Sequence, residues 1–150
     1  MPTPLDALVT HVTEVVLSGG SYVAPGNRIL LQGLALSLRA QTILETGYDT
    51  GCTTMALAMT GAKRLVAVDN HHEHPELKVL ARQRLAAFPT VELVNSDALL
   101  YLLEAASETF DLLFIDDCHE PGYLAYELEE ACRLVRPGGC IVFHATLSLD

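Results

Sequence analysis

From Thr42 onward the chain alternates between short apolar runs and longer stretches at helical spacing, and this rhythm limits its possible folds more than any other feature. The apolar runs fall at about 42–46, 64–68, 91–94, 110–115 and 139–143. Each is β-branched or leucine-rich and is bounded by turn or polar residues, as a buried strand should be. Helical stretches separate them at about 52–60, 75–87, 98–106 and 122–135. Strands joined through helices lie parallel, with right-handed crossovers and helices on both faces. The expectation is an α/β domain with a Rossmann-like, doubly wound parallel sheet of five strands. In such sheets ligands bind at the carboxyl ends of the strands, where the strand order reverses.

The turn after the first of these runs is the best candidate for a ligand loop. Ile43 to Thr54 reads as a strand, a turn carrying Gly47 and Gly51, and the opening of a helix. That arrangement brings backbone N–H groups and a helix N-terminus to one point. The spacing is ExGxxxGxT and not the dinucleotide fingerprint GxGxxG, because Asp49 stands where the middle glycine would be. An ordinary βα turn would also carry two glycines, so the later strand ends matter. They bear Asp69 and Asn70 after the second strand, Asp97 and Ala98 after the third, Asp116 and Asp117 after the fourth, and His144 after the fifth. An acidic residue about 20 positions beyond a glycine turn, at the end of the next strand, suits a ribose diol, and Asp69 is so placed. Asp97, within Ser-Asp-Ala, also makes a good helix start.

Upstream of the alternation, Leu5, Leu8, Val9, Val12, Val15 and Val16 mark an amphipathic helix over 5–17 that Ser18-Gly19-Gly20 ends. A leucine-dense second helix follows over about 28–39; its apolar surface runs nearly all the way round, so it should be largely covered, by the sheet or by a partner chain. Pro137-Gly138-Gly139 stops the last helix before the fifth strand. With 150 residues, half of them hydrophobic, one core is expected: a single domain over 1–150, with N-terminal helices in 1–39 and a ligand-binding α/β core in 40–146. The net charge of −10, without a basic run, argues against nucleic acid and membrane surfaces as partners. Cys52, Cys118, Cys132 and Cys140 form no CxxC pair and no secretory leader pattern opens the chain, so a cytoplasmic protein with free thiols is expected.

Residues 43–54, Leu-Val-Ala-Val-Asp-Asn (65–70), Leu-Val-Asn-Ser-Asp-Ala (93–98), Phe-Asp-Leu-Leu-Phe-Ile-Asp (110–116) and residues 134–144 resemble the successive motifs of class I S-adenosylmethionine-dependent methyltransferases. The nearest branch resembles the small-molecule O-methyltransferases of the catechol and caffeoyl-CoA type, and the likeness covers about 28–146. It implies strand order 3-2-1-4-5, without the sixth and seventh strands usual in the family, and S-adenosylmethionine as cofactor. It further implies that Glu45, Gly47 and Gly51 surround the methionine part, that Asp69 and Asn70 lie at the ribose, and that Asp97 with Ala98 lies beside the adenine. Asp116 would face the sulfonium methyl and a small-molecule acceptor. Methyl transfer by direct displacement makes positioning the main task.

Three departures from the family pattern qualify that expectation. The metal-dependent branch pairs the carboxylate matching Asp116 with acidic and amide residues after the fifth strand, where this chain has Ala145 and Thr146, so no metal is expected. Where that branch commonly carries lysine, this chain has His119, the candidate general base for a hydroxyl acceptor. The cluster His71, His72, Glu73 and His74 lacks helical metal-ligand spacing and reads as a solvated loop. Third, the sequence ends soon after the fifth strand, leaving an apolar parallel edge: either the sequence is a piece of a longer chain, or a partner closes that edge, with another copy in a homo-oligomer as the expected one. A catalytically silent module that keeps the cofactor pocket is the alternative; a nicotinamide-dependent oxidoreductase fits the motifs less well.

Overall fold

A computed structural model describes residues 23–72, 74–118 and 120–144. The helix expected over 5–17 and the residues Tyr22, Glu73, His119, Ala145 and Thr146 lie outside them. The first described helix is α1 (Pro25–Leu38), followed by β1 (Thr42–Thr46), α2 (Cys52–Ala58), β2 (Arg64–Val68), α3 (Leu77–Leu85) and β3 (Val91–Val94). The second half runs α4 (Ala98–Glu104), β4 (Phe110–Ile115), α5 (Pro121–Leu134) and β5 (Val135–Phe143). All pairings are parallel, in the order β3-β2-β1-β4-β5. The order reverses between β1 and β4, which fixes the switch point at their carboxyl ends.

Alternation along each strand divides the core into two layers. Ile43, Leu65, Ala67, Leu112 and Phe114 face one way and meet Leu31 and Ala35 of α1, Leu57 of α2 and Ala81 of α3. Leu44, Val66, Val68, Leu113 and Ile115 face the other way, against Leu102 of α4 and Ala131 and Leu134 of α5. A strand covered on both faces has no polar side to show, which is why β4 is buried at every position, Asp111 included.

Asp111 is tolerated there because it is fully employed. Its Oδ2 accepts hydrogen bonds from the Gln41 and Thr42 amides at 2.7 and 2.9 Å and from the Thr42 hydroxyl at 3.1 Å. Its Oδ1 pairs with the Arg136 guanidinium. One carboxylate thus ties the start of β1 to β4 and β5. The sequence places Arg133 at the end of its own helix, but its guanidinium instead donates to the carbonyls of Leu102 and Ala105, at the end of α4. Those carbonyls have no intrahelical partner, so Arg133 caps a neighbouring helix.

Two expectations change. The leucine-dense helix packs on the sheet through one face only: Leu31 and Ala35 are buried, whereas Leu30 is 70% exposed and Leu36 is 44% exposed. Buried Arg28 and Gln32 share its inner face, and Gln32 Nε2 donates to the Ala56 carbonyl at 2.7 Å, so polar positions carry part of the contact. The fifth strand begins at Val135 rather than near 139, because Val135 already pairs with Phe110. The pairing then skips to Leu112 and Cys140, and Pro137, Gly138 and Gly139 are accommodated in that irregularity instead of preceding the strand. Among the described residues no helix is long and apolar enough to cross a membrane.

Candidate functional site

A cavity of about 530 Å³ opens at the carboxyl end of the sheet, at the switch point. The turn after β1 contributes Gly47, Tyr48 and Asp49; the one after β2 contributes Asp69, Asn70, His71 and His72; Asp97 comes from before α4, and Asp116, Asp117 and Cys118 follow β4. Tyr123 of α5 and Leu77 of α3 complete opposite walls. Five aspartates therefore converge on one cavity although no single stretch of sequence is acidic enough to announce it.

Gly47 makes the cavity geometrically possible. Its φ is +76°, and a Cβ added there would meet the Asp116 carbonyl oxygen at 2.1 Å and its carbon at 2.6 Å. Only a residue without a side chain lets the ends of β1 and β4 come so close. The next loop is held by Asp69, whose Oδ2 accepts from the Asp49 amide at 2.9 Å and whose Oδ1 accepts from the His71 amide at 2.7 Å. Asp49 and His71 both have positive φ, 46° and 48°, so Asp69 stabilises two backbone conformations that L-residues otherwise avoid. The carboxylate keeps further lone pairs for a ligand.

His71 locks the two loops together. Its Nε2 lies 2.9 Å from the Asp49 carbonyl; a carbonyl only accepts, so this nitrogen carries the proton. The ring is buried and meets Tyr48 edge-on at 4.7 Å between centroids. The expected solvated loop is thus solvated only in part: His72 and His74 are exposed, whereas His71 is a buried strut. Among the described residues no three His, Cys, Asp or Glu side chains converge as metal ligands.

On the opposite wall, Asp97 caps α4 by accepting from the Leu100 amide at 3.1 Å, as its sequence context suggests. The same oxygen also accepts from the Tyr123 hydroxyl at 3.2 Å, and that hydroxyl in turn accepts from the Leu99 amide at 3.1 Å. Burial, then the neighbouring charges of Asp69, Asp97 and Asp116, push the Asp117 carboxyl up to about 6.

Not every expected residue reaches the cavity wall. Gly47, Asp69, Asn70, Asp97 and Asp116 do. Glu45 lies fully buried behind the loop; burial, reinforced by Asp116 and Asp69, raises its carboxyl to about 8. The Thr54 hydroxyl tempers that shift, yet neither carboxyl oxygen of Glu45 has a partner in good hydrogen-bonding geometry. Gly51 precedes α2 and packs toward Leu85 of α3, and Ala98 is buried at the start of α4. Glu127 of α5 is a second buried carboxyl, raised to about 8 chiefly by burial. Sequence reading missed it because it sits in a helix rich in glutamate, where one buried member has no local mark. Asp117 stands at a strand end in the sequence, but the Tyr123 hydroxyl that lies 3.5 Å from its Oδ2 comes from α5, and only the fold joins the two.

Residues 44–146 match the family model described as a methyltransferase domain. A Mycobacterium sp. (strain JLS) protein, provisionally named an O-methyltransferase, is 31% identical over 93% of this chain and 64% of its own length. The catechol O-methyltransferase of Niastella koreensis is also 31% identical, over 91% of this chain and 64% of its own length. Among solved structures, the Bacillus cereus O-methyltransferase in complex with SAH is 25% identical with a TM-score of 0.65, covering 95% of this chain and 67% of that one. TomG of Streptomyces achromogenes, an O-methyltransferase of tomaymycin synthesis solved with SAM, is 27% identical with a TM-score of 0.61, covering 95% of this chain and 66% of that one. The chain spans about 64% of the length of the curated relatives it matches.

Proposed function

The chain belongs to the class I S-adenosylmethionine-dependent methyltransferases, and from that premise we propose that it binds S-adenosylmethionine in the acidic cavity and methylates a hydroxyl of a small molecule. The observation that carries this reading is the convergence of five aspartates at the switch point of the sheet. S-adenosylmethionine presents a sulfonium, an ammonium, two ribose hydroxyls and an exocyclic amine, all cationic or hydrogen-bond donors, and carboxylates complement each of them. The same aspartates would repel a pyrophosphate, which disfavours a nicotinamide dinucleotide. A cavity of about 530 Å³ lies within the usual range for such a ligand.

In this reading Gly47 gives the methionine part close backbone approach, with Glu45 and Gly51 shaping the loop from behind and beside it. Asp69 and Asn70 hold the ribose, Asp97 borders the adenine with Ala98 buried behind it, and Asp116 faces the reacting centre. The bound cofactor would supply an electrophilic methyl group. The protein's tasks are to align the acceptor oxygen with it, exclude water and take the acceptor's proton. For that proton the sequence offers His119, which lies between β4 and α5 in chain order.

A single domain over 1–150, a cytoplasmic location and a homo-oligomer are all compatible with free thiols and with β5 as the outer strand among the described residues. Light scattering of the eluting protein reads the oligomeric state directly. The second functional reading, a silent module that binds the cofactor without turnover, is favoured by alanine at position 145.

Calorimetry of the folded chain with S-adenosylmethionine and S-adenosylhomocysteine tests the proposal. Saturable binding of both is expected; no heat at millimolar ligand would refute it. Asp69→Ala should weaken binding by ~1–3 kcal/mol, the loss expected for a carboxylate accepting from two hydroxyls. Cofactor binding without transfer to any of a broad set of catechols, phenols and amines would favour the silent module.

A further inference from the structure

Two carboxylates follow β4 in succession, and they turn to different neighbours. Asp116 Oδ1 lies 2.8 Å from Nδ1 of His144, just past β5. Asp117 Oδ2 instead lies 3.5 Å from the hydroxyl of Tyr123 on α5. The same hydroxyl donates to Asp97 Oδ1 at 3.2 Å, so both carboxylates stand within hydrogen-bonding reach of one oxygen. Asp97, Asp117 and Tyr123 all line the cavity. Wherever Asp97 borders a bound base, Asp117 borders it too.

This corner of the cavity holds more acceptors than donors. The Tyr123 hydroxyl accepts from the Leu99 amide at 3.1 Å and carries a single proton, for which Asp97 Oδ1 is the nearer recipient. Asp97 has a second donor in the Leu100 amide at 3.1 Å. Asp117 has no other: the tyrosine hydroxyl is its one hydrogen-bond partner among the described residues, and it must share that proton. No lysine or arginine lines the cavity among the described residues. Burial, and then the charges of Asp69, Asp97 and Asp116, all acids, raise the Asp117 carboxyl to about 6. At pH 8 it is therefore an ionised acceptor, half-buried in the wall and short of a donor.

An adenine supplies that donor. Its exocyclic amine has two N–H groups, one for each carboxylate, and a purine with hydrogen at that position leaves Asp117 unpaired. We propose that Asp117 selects the base of the cofactor by accepting a hydrogen bond from the exocyclic amine of adenine. The inference rests on the cofactor-binding reading above, and it adds a determinant outside the methyltransferase motifs: Asp117 and Tyr123 both fall between the segments 110–116 and 134–144. The two successive carboxylates thus serve different ends of one ligand, Asp116 the reacting centre and Asp117 the base. Such a site rejects the analogue without the amine more strongly than an apolar pocket of the same shape could, because the wrong ligand leaves a partly buried charge unpaired.

Calorimetry of the full chain at pH 8 compares S-adenosylhomocysteine with its analogue in which hydrogen replaces the 6-amino group. Loss of the amine should weaken binding to the unsubstituted protein roughly tenfold or more, the range of a hydrogen bond to a charged group. In Asp117→Ala the two ligands should bind within about threefold of each other, so that the substitution and the missing amine together weaken binding far less than their separate effects combined. Asp117→Asn keeps the shape of the side chain and offers a neutral acceptor; it should show an intermediate preference, and it decides the matter if Asp117→Ala does not fold. The same penalty for the missing amine in the unsubstituted protein and in the variants overturns the proposal, as does an unsubstituted protein that binds the two ligands alike. If S-adenosylhomocysteine itself does not bind, the cofactor reading fails; if it binds without preference for the amine, only the base selection fails.

Discussion

Replacing Gly47 by alanine tests whether the site depends on the close approach of β1 and β4. The substitution adds one methyl group and carries two separable costs. The first is conformational: at φ +76° an L-residue pays about 1–2 kcal/mol. The second is steric. The new Cβ would lie 2.1 Å from the Asp116 carbonyl oxygen and 2.9 Å from the Asp117 Cα, and backbone atoms cannot rotate aside as a side chain can. Overpacking of this kind costs ~1–3 kcal/mol. Gly61 provides the control, since its φ of +81° is nearly the same and a Cβ there would meet nothing within 4 Å. Gly61→Ala should therefore lose only the conformational part, and Gly47→Ala roughly 2–5 kcal/mol in all. For a domain of this size that separates the melting temperatures by several degrees, at about 2–4 °C per kcal/mol. Urea unfolding of both variants beside the parent measures the difference, and calorimetry with S-adenosylhomocysteine reads the site. Gly47→Ala should lose cofactor affinity even where it remains folded, because the strand ends it pushes apart carry Asp116 and Asp117. Equal destabilisation by the two substitutions, with cofactor affinity retained, would refute the reasoning.

Other perturbations probe the buried and clustered carboxyls. Glu45 has its carboxyl raised to about 8 by burial, from 4.5, so the folded state holds a proton that the unfolded chain releases. Its contribution to stability is intact below about 4.5 and falls as pH rises toward 8, by up to roughly 5 kcal/mol. Glu45→Gln should flatten that part of the pH dependence in urea unfolding between pH 5 and 8; parallel curves for variant and parent would contradict it. Asp117, raised to about 6, is charged at neutral pH and neutral below, so S-adenosylmethionine should bind more weakly at pH 5 than at pH 7.5. Calorimetry at the two pH values should show most of that difference vanish in Asp117→Asn. Asp111→Ala strands the Gln41 and Thr42 amides and leaves Arg136 unpaired, a loss of ~2–4 kcal/mol. Urea unfolding should show that loss with cofactor affinity little changed in the folded fraction, since Asp111 lies at the other end of β4 from the cavity.

The sequence by itself determined the sheet. Apolar runs of strand length separated by helical stretches leave few alternatives to a parallel α/β core, and four of the five strands fall where the sequence pattern places them; burial on both faces makes the inner strands β2 and β4 apolar at most positions. Strand-end aspartates were equally legible, since topology alone carries Asp69, Asp97 and Asp116 to one side of the sheet. Tertiary structure decided what local pattern does not encode. It set Arg133 to cap another helix, turned His71 inward, buried Glu45 and Glu127, and placed the His144 ring against Asp116. Periodicity records whether a side chain is buried on average; it does not record which distant polar group it meets. Those meetings depend on residues up to 70 positions apart, as Gln41 and Asp111 are, and only the folded backbone brings them within 3 Å.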